Sequence, residues 1–74
     1  MKETFSLESH PFIPLYKLLK VLGWCDSGSM AKDVIDKGLV TVNDQVELRK
    51  RCKILAGQVV RFEKQEVTVL TTTE

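Results

Sequence analysis

Residues 27–44 read SGSMAKDVIDKGLVTVND, and the spacing of the apolar side chains changes within this stretch. Its first half has four apolar residues at helical spacing, which predicts one inward-facing helix side: Met30, Ala31, Val34 and Ile35. Asp26 or Ser27 can cap this helix by accepting hydrogen bonds from its free N–H groups, and Gly38 marks its end. After Gly38 the spacing becomes two, so residues 39–42 are predicted to form a strand.

The outer side of the same helix carries opposite charges four residues apart. Lys32 is spaced to pair with Asp36, and Asp33 is spaced to pair with Lys37. This arrangement is typical of a helix with one buried and one solvent-exposed side.

Another helix is predicted upstream, beginning at Pro14, because proline suits the first helical turn. Its inward face is formed by four leucines: Leu15, Leu18, Leu19 and Leu22. Gly23 stands where a C-terminal cap glycine belongs. Helices this short are marginal in isolation, so both must pack against other elements.

Four further strands are predicted from alternating or β-rich segments: residues 4–7 (at a sheet edge), 45–48, 59–62 and 67–70. Asn43 and Asp44 tolerate the left-handed conformations of a tight turn between two antiparallel strands. The predicted fold class is α+β, with two short helices packed against a small, mostly antiparallel β-sheet. Residues 1–74 are expected to form a single domain, with residues 71–74 as a frayed tail.

Length and composition limit the classes of function. The chain has 74 residues, 43% hydrophobic content and a net charge of +1, which is typical of one small globular domain. Its apolar stretches are far shorter than the roughly 20 residues that span a bilayer, and residues 1–5 lack a secretory signal, so we expect a cytoplasmic protein without a membrane partner. Cys25 and Cys52 are expected to be free thiols, and with His10 they do not supply a zinc site. We therefore expect a non-enzymatic protein without metal or cofactor.

Positive charge is concentrated in residues 49–53, which read Arg-Lys-Arg-Cys-Lys and are called the basic run below. Nine of the eleven basic residues, but only five of the ten acidic ones, lie between residues 15 and 62. Taken alone, the run is either a solvated loop or a phosphate-binding surface. Cys52 within it is either a small side chain that points inward or a thiol whose pKa is lowered by its neighbours.

The order of these elements resembles the αL RNA-binding domain named after ribosomal small-subunit protein four. That family has an L-x-x-x-L helix, then S-R-x-x-A, then I-x-x-G-x-V-x-V-N-G, and later G-D/Q-x-I/V. The corresponding segments here are residues 15–19, 27–31, 35–44 and 57–60, within a motif core of residues 14–62. Additional likeness to the small stand-alone bacterial members, the YbcJ-like proteins, lies in residues 4–7, 10–11, 22–24 and 47–58.

The resemblance implies that the second helix and the neighbouring turns and loop form one RNA-facing surface. Seven residues are predicted to bind RNA there: Lys32, Lys37, Asn43, Arg49, Lys50, Arg51 and Lys53. Two positions depart from the family pattern, because Gly28 stands where many members have arginine and Asp44 replaces the glycine of the Asn-Gly turn. Both departures are expected to lower RNA affinity without disrupting the fold.

The leading hypothesis is a monomeric, ribosome-associated protein that recognises structured RNA by charge and shape. Its expected RNA partner is ribosomal or transfer RNA. A ribosomal or RNA-processing protein is expected as a second partner. Trp24 is expected to fill the junction between helices and sheet, and Tyr16 to be half-buried. The phenylalanines are expected in the core: Phe5, Phe12 and Phe62. Two alternatives stay open: a protein-interaction adaptor that kept the fold but lost RNA affinity, and a redox sensor that uses Cys52.

Overall fold

The computed structural model describes residues 2–8 and 10–71. Within these residues the helices are α1 (Leu15–Val21) and α2 (Gly28–Asp36). The strands are β1 (Lys2–Ser6), β2 (Ile13–Pro14), β3 (Val40–Val42), β4 (Gln45–Val46), β5 (Lys53–Ile54), β6 (Val59–Phe62) and β7 (Gln65–Leu70). The predicted frayed tail lies outside the described residues except for Thr71.

The larger sheet has the strand order β1-β7-β6-β3-β4, and β2 and β5 form a separate two-stranded sheet. All strand pairs are antiparallel except β1 with β7, which run parallel. The predicted α+β class, with two short helices and a mostly antiparallel sheet, is therefore confirmed. The predicted edge strand is also confirmed at β1, whereas β4 is two residues shorter than predicted. Within the described ranges, neither helix is long and apolar enough to cross a membrane.

Helix α2 begins as predicted, with Ser27 as its cap. The Ser27 hydroxyl oxygen accepts a hydrogen bond from the Met30 backbone N–H at 3.1 Å. Ala31, Val34 and Ile35 are buried, but the prediction that Met30 faces inward is wrong, since 44% of it is exposed. Successive helix residues are about 100° apart around the axis, so Met30 lies at the edge of the buried face that contains Ala31.

One of the two predicted charge pairs on α2 is present. The Lys37 ammonium lies 3.0 Å from the Asp33 carboxylate. The predicted pair of Lys32 with Asp36 is wrong, because each side chain contacts a different element: Lys32 lies over the Tyr16 ring, and Asp36 lies near the basic run. An exposed ion pair within a helix contributes only about 0.3–0.5 kcal/mol to stability, so contacts with neighbouring elements readily replace it.

The turn between β3 and β4 has the left-handed conformation that its residues predict. The φ angles are 52° at Asn43 and 68° at Asp44. The Asn43 side-chain oxygen accepts a hydrogen bond from the Val59 N–H at 2.9 Å, which connects the turn to β6. Asp44 forms an ion pair with Arg61 at 2.7 Å. This turn is therefore part of the sheet's own hydrogen-bond and charge network.

One cluster of buried side chains joins both helices to the sheet. Its largest fully buried members are Leu15, Leu18, Leu19, Ile35, Val40, Ile54, Val60, Val67 and Val69. Truncating such a leucine to alanine typically costs about 2–5 kcal/mol, which is comparable with the whole stability of a small domain.

The aromatic residues divide between core and surface. Trp24 is buried at the helix–sheet junction as predicted, and its indole N–H donates to the Glu3 carboxylate at 3.1 Å. Phe62 is a core residue, and Phe5 packs against the core while partly buried. The expectation that Phe12 belongs to the core is wrong, because it is half-buried and lines a surface cavity. It is the last residue of the connection between β1 and β2, outside the strands and helices that enclose the core.

Candidate nucleic-acid interface

The basic run lies in the loop between β4 and β5 and ends at Lys53, the first residue of β5, and its backbone is attached to the start of α1. The Leu15 N–H donates to the Cys52 carbonyl at 2.9 Å, and the Tyr16 N–H donates to the Lys50 carbonyl at 3.1 Å. These bonds satisfy N–H groups that the first helical turn leaves unpaired. Pairing of Pro14 with Lys53 between β2 and β5 holds the end of the loop beside the same helix. The backbone, rather than the charges, therefore positions the run.

Tyr16 contacts both the loop and α2, through its backbone and its ring respectively. The Lys32 ammonium is 4.8 Å from the centre of the Tyr16 ring, and a Cβ atom on Gly28 would lie 3.8 Å from the same ring. The Lys50 ammonium is 3.8 Å from the Asp36 carboxylate at the end of α2. The predicted proximity of the basic run to the second helix is thus present, with Lys32 and Lys50 on neighbouring elements.

Arg49 is held by an acidic neighbour. Its guanidinium binds both carboxylate oxygens of Glu47, at 2.9 and 3.3 Å, and its backbone N–H donates to Glu47 at 3.0 Å. These hydrogen bonds lower the pKa of Glu47 to about 2, and they raise the pKa of Arg49. Because the carboxylate offsets the guanidinium charge, Arg49 is less available to a phosphate than the sequence implies.

Arg51 and Lys53 are the more available cations of the run. Neither side chain forms an ion pair with another of the described residues. Both side chains border a depression of about 390 Å³, together with Arg49 and Cys52. The Lys53 ammonium also lies 5.1 Å from the centre of the Phe12 ring. A concave surface lined by three cationic side chains suits a polyanion.

The other two predicted binding residues have different surroundings. Lys37 is exposed at the end of α2, where its ammonium pairs with Asp33. Asn43 belongs to the β3–β4 turn, where its side-chain oxygen is committed to Val59. Its amide NH₂ can still donate to a phosphate without breaking this bond. Contacts through Tyr16 and Asp36 therefore connect Lys32 with the basic run, whereas the Asn43 side chain contacts β6.

The two cysteines are free thiols in the structure. Burial raises the pKa of Cys25, with a smaller contribution from Asp26. Burial also raises the pKa of Cys52, and the nearby Glu47 carboxylate adds to this effect. The interpretation of Cys52 as a thiol activated by its basic neighbours is therefore wrong; it packs partly buried against the core. Among the described residues, no cluster of three or more His, Cys, Asp or Glu could hold a metal ion.

Two contacts on this surface were not predicted from the sequence. The Glu47–Arg49 pair had a local signal, because residues two apart in extended backbone point to the same side. The contact between Lys53 and Phe12 had none, since the two residues are distant in the chain and meet only through pairing of β2 with β5.

Comparison with known proteins identifies the family. A family model described as "S4 domain" matches residues 5–70. The chain belongs to the S4 domain family. This is the αL RNA-binding family that the sequence resembles, and that resemblance is confirmed.

Two similar curated proteins are "Putative RNA-binding protein YbcJ" of Escherichia coli (strain K12) and "Uncharacterized protein YbcJ" of Shigella flexneri. Each is 52% identical over 67 residues, which cover 90% of this chain and 96% of the relative. A similar solved structure is the solution structure of YbcJ from E. coli, described as revealing an αL motif involved in RNA-binding. It has a TM-score of 0.71 and 52% identity, and the match covers 90% of this chain and 85% of that one.

Proposed function

We propose that this S4-family protein binds structured RNA without catalysing a reaction, and that ribosomal or transfer RNA is its partner. The RNA lies across α2 and the basic run, and a cytoplasmic, monomeric, ribosome-associated protein fits this role. A ribosomal or RNA-processing protein is a natural second partner. Binding rests on release of counterions from phosphates and on the shape of the RNA helix.

The observation that carries this proposal is the attachment of the basic run to the start of α1, at a place where Lys50 also reaches Asp36 of α2. Hydrogen bonds from Leu15 and Tyr16 hold the loop backbone, so its cations need little ordering when a ligand arrives. Arg51 and Lys53 have no ion-pair partner among the described residues that a phosphate would have to displace. Arginine gives bidentate phosphate contacts and lysine gives a point charge. We rank Arg51 and Lys53 first, and Lys32 and Lys50 next.

The test is fluorescence anisotropy with a labelled ribosomal RNA hairpin and with transfer RNA at several salt concentrations. The double variant Arg51→Ala/Lys53→Ala should bind at least about tenfold more weakly at 0.1 M salt, because each lost phosphate contact removes about 0.9 from the salt slope. The matched control is Lys2→Ala/Lys64→Ala, which removes the same charge from residues outside the proposed face. Equal weakening by both double variants would refute the assignment of the face, and absent or salt-independent binding would refute the function.

A protein-interaction adaptor is the second candidate function. Leu39, Val46 and Leu48 are each more than half exposed, and the side chains of Val46 and Leu48 both approach Gly38. Such an apolar patch beside the basic run suits a protein partner. Affinity capture before and after nuclease treatment separates the two functions: an adaptor keeps its partner when the RNA is removed, whereas an RNA-binding protein loses it.

A further inference from the structure

A surface cavity of about 360 Å³ lies between the segment after β1 and the start of α1. Its lining includes the half-buried ring of Phe12 and the apolar side chains of Phe5 and Leu7. His10 and Lys17 supply polar groups at the same cavity. The volume and the mixture of aromatic, apolar and few polar groups match those of small-molecule sites, which typically span about 300–1,000 Å³.

The cavity adjoins the proposed phosphate-binding surface through one contact. The Lys53 ammonium lies 5.1 Å from the centre of the Phe12 ring, and Lys53 also borders the depression beside Arg51. Pairing of β2 with β5 keeps the two sites adjacent, because it places Pro14 opposite Lys53. A lysine over a half-buried ring at the surface is weakly held, so an arriving phosphate can draw its ammonium away and leave the ring face open.

We propose that this cavity receives one unpaired nucleotide of an RNA whose double-helical part lies on the basic run and α2. The proposal rests on the proposed function and names its substrate class: a duplex with a bulged or flipped-out base. The base stacks on Phe12, while Lys53 and Lys17 contact the flanking phosphates. Proteins commonly recognise RNA through unpaired bases stacked on aromatic rings, since stacking needs only a π-face.

The charged residues that line the cavity, Glu8 and Lys17, balance each other, so an uncharged base suits it at least as well as a phosphate. Glu8 lines it, and its carboxylate would repel a phosphate but can accept a hydrogen bond from a base amino group. His10 can donate or accept at the base edge. Lys17 is exposed in the first turn of α1 and lines the same cavity, where its ammonium can contact a phosphate that flanks the bound base.

The experiment compares a fully paired, labelled RNA hairpin with four hairpins of the same sequence that each carry a single-nucleotide bulge. The four bulged hairpins differ only in the bulged base. At least one bulged hairpin should bind about fivefold or more tightly than the paired hairpin, which is the lower bound of stacking on one aromatic ring. With 2-aminopurine at the bulge, its fluorescence should change on binding as the base changes its stacking partner. Phe12→Leu should abolish both effects while affinity for the paired hairpin stays the same. Phe12→Tyr, which keeps the ring, should preserve both effects.

Thermal unfolding followed by circular dichroism shows whether Phe12→Leu still folds, and the paired hairpin serves as an internal check on the same sample. Equal affinity for the paired hairpin and all bulged hairpins overturns this inference and leaves the proposed function intact. Loss of preference in Phe12→Tyr as well as in Phe12→Leu also overturns it, because stacking would then not be the cause. Failure to bind either kind of hairpin refutes the proposed function itself.

Discussion

Replacing Gly28 with arginine restores at the start of α2 the residue type that many members of the family carry there. The structure has room for the Cβ atom of a larger residue, which would meet the Tyr16 ring at 3.8 and 3.9 Å, and this is ordinary contact. The new guanidinium would lie beside Tyr16 and Lys32, on the proposed RNA face. If α2 contacts RNA, Gly28→Arg adds one phosphate contact.

The expected gain follows from counterion release. One added contact raises the salt slope by about 0.9, which corresponds to roughly five- to tenfold tighter binding at 0.1 M salt. Folding stability should change by less than about 1 kcal/mol. A better helix former than glycine contributes about 0.5–1 kcal/mol, whereas a positive charge in the first helical turn costs about 0.3–1 kcal/mol.

The assay is a salt titration of RNA binding by fluorescence anisotropy, with Gly28→Ala as the matched control. Alanine adds the same Cβ atom and helix propensity but no charge, so its salt slope should equal that of the natural protein. The reasoning fails if Gly28→Arg binds no more tightly than Gly28→Ala, or if its gain in affinity is independent of salt. Either result would place α2 outside the RNA interface.

Three further predictions concern the turn, a carboxylate and a thiol. Asp44→Gly should tighten RNA binding, because it removes a negative charge from the turn. It should change the free energy of unfolding by no more than about 1 kcal/mol, because loss of the exposed pair with Arg61 is offset by relief of a left-handed backbone at φ 68°. Unchanged affinity would show that the turn is remote from the RNA. The folded-state pKa of Glu47 is about 2, below its ordinary value of 4.5, so its contribution to stability is present above pH 4.5 and is lost as the pH falls towards 2. Urea denaturation should therefore show a shallower loss of stability between pH 4.5 and 2 for Glu47→Gln, and identical slopes for both proteins would contradict the assignment. Cys52, whose thiol pKa is raised mainly by burial, should react with a thiol reagent at pH 7 more slowly than free cysteine; a faster rate would revive the redox hypothesis.

Patterns local in the chain predicted most of the secondary structure. Ser27 caps α2 as its position implies, and the two positive φ angles at Asn43 and Asp44 follow from residue types that tolerate them. Met30 and the Lys32–Asp36 pair were predicted wrongly, because helical spacing says which residues share a side but not how wide the buried side is. That width depends on what packs against the helix.

The α+β class, the family and the concentration of positive charge in residues 49–53 could be predicted from the chain alone, since these depend on the order, spacing and type of neighbouring residues. Which of those charges are available depends on contacts between residues that the folded chain brings together. Glu47 binds Arg49, whereas Arg51 and Lys53 remain without an ion-pair partner among the described residues. The contact between Lys53 and Phe12 likewise exists only because pairing of β2 with β5 brings two residues together that are far apart in the chain. Availability of a charge is a property of its three-dimensional neighbours, because Coulomb and hydrogen-bond energies depend on distance in space and not along the chain.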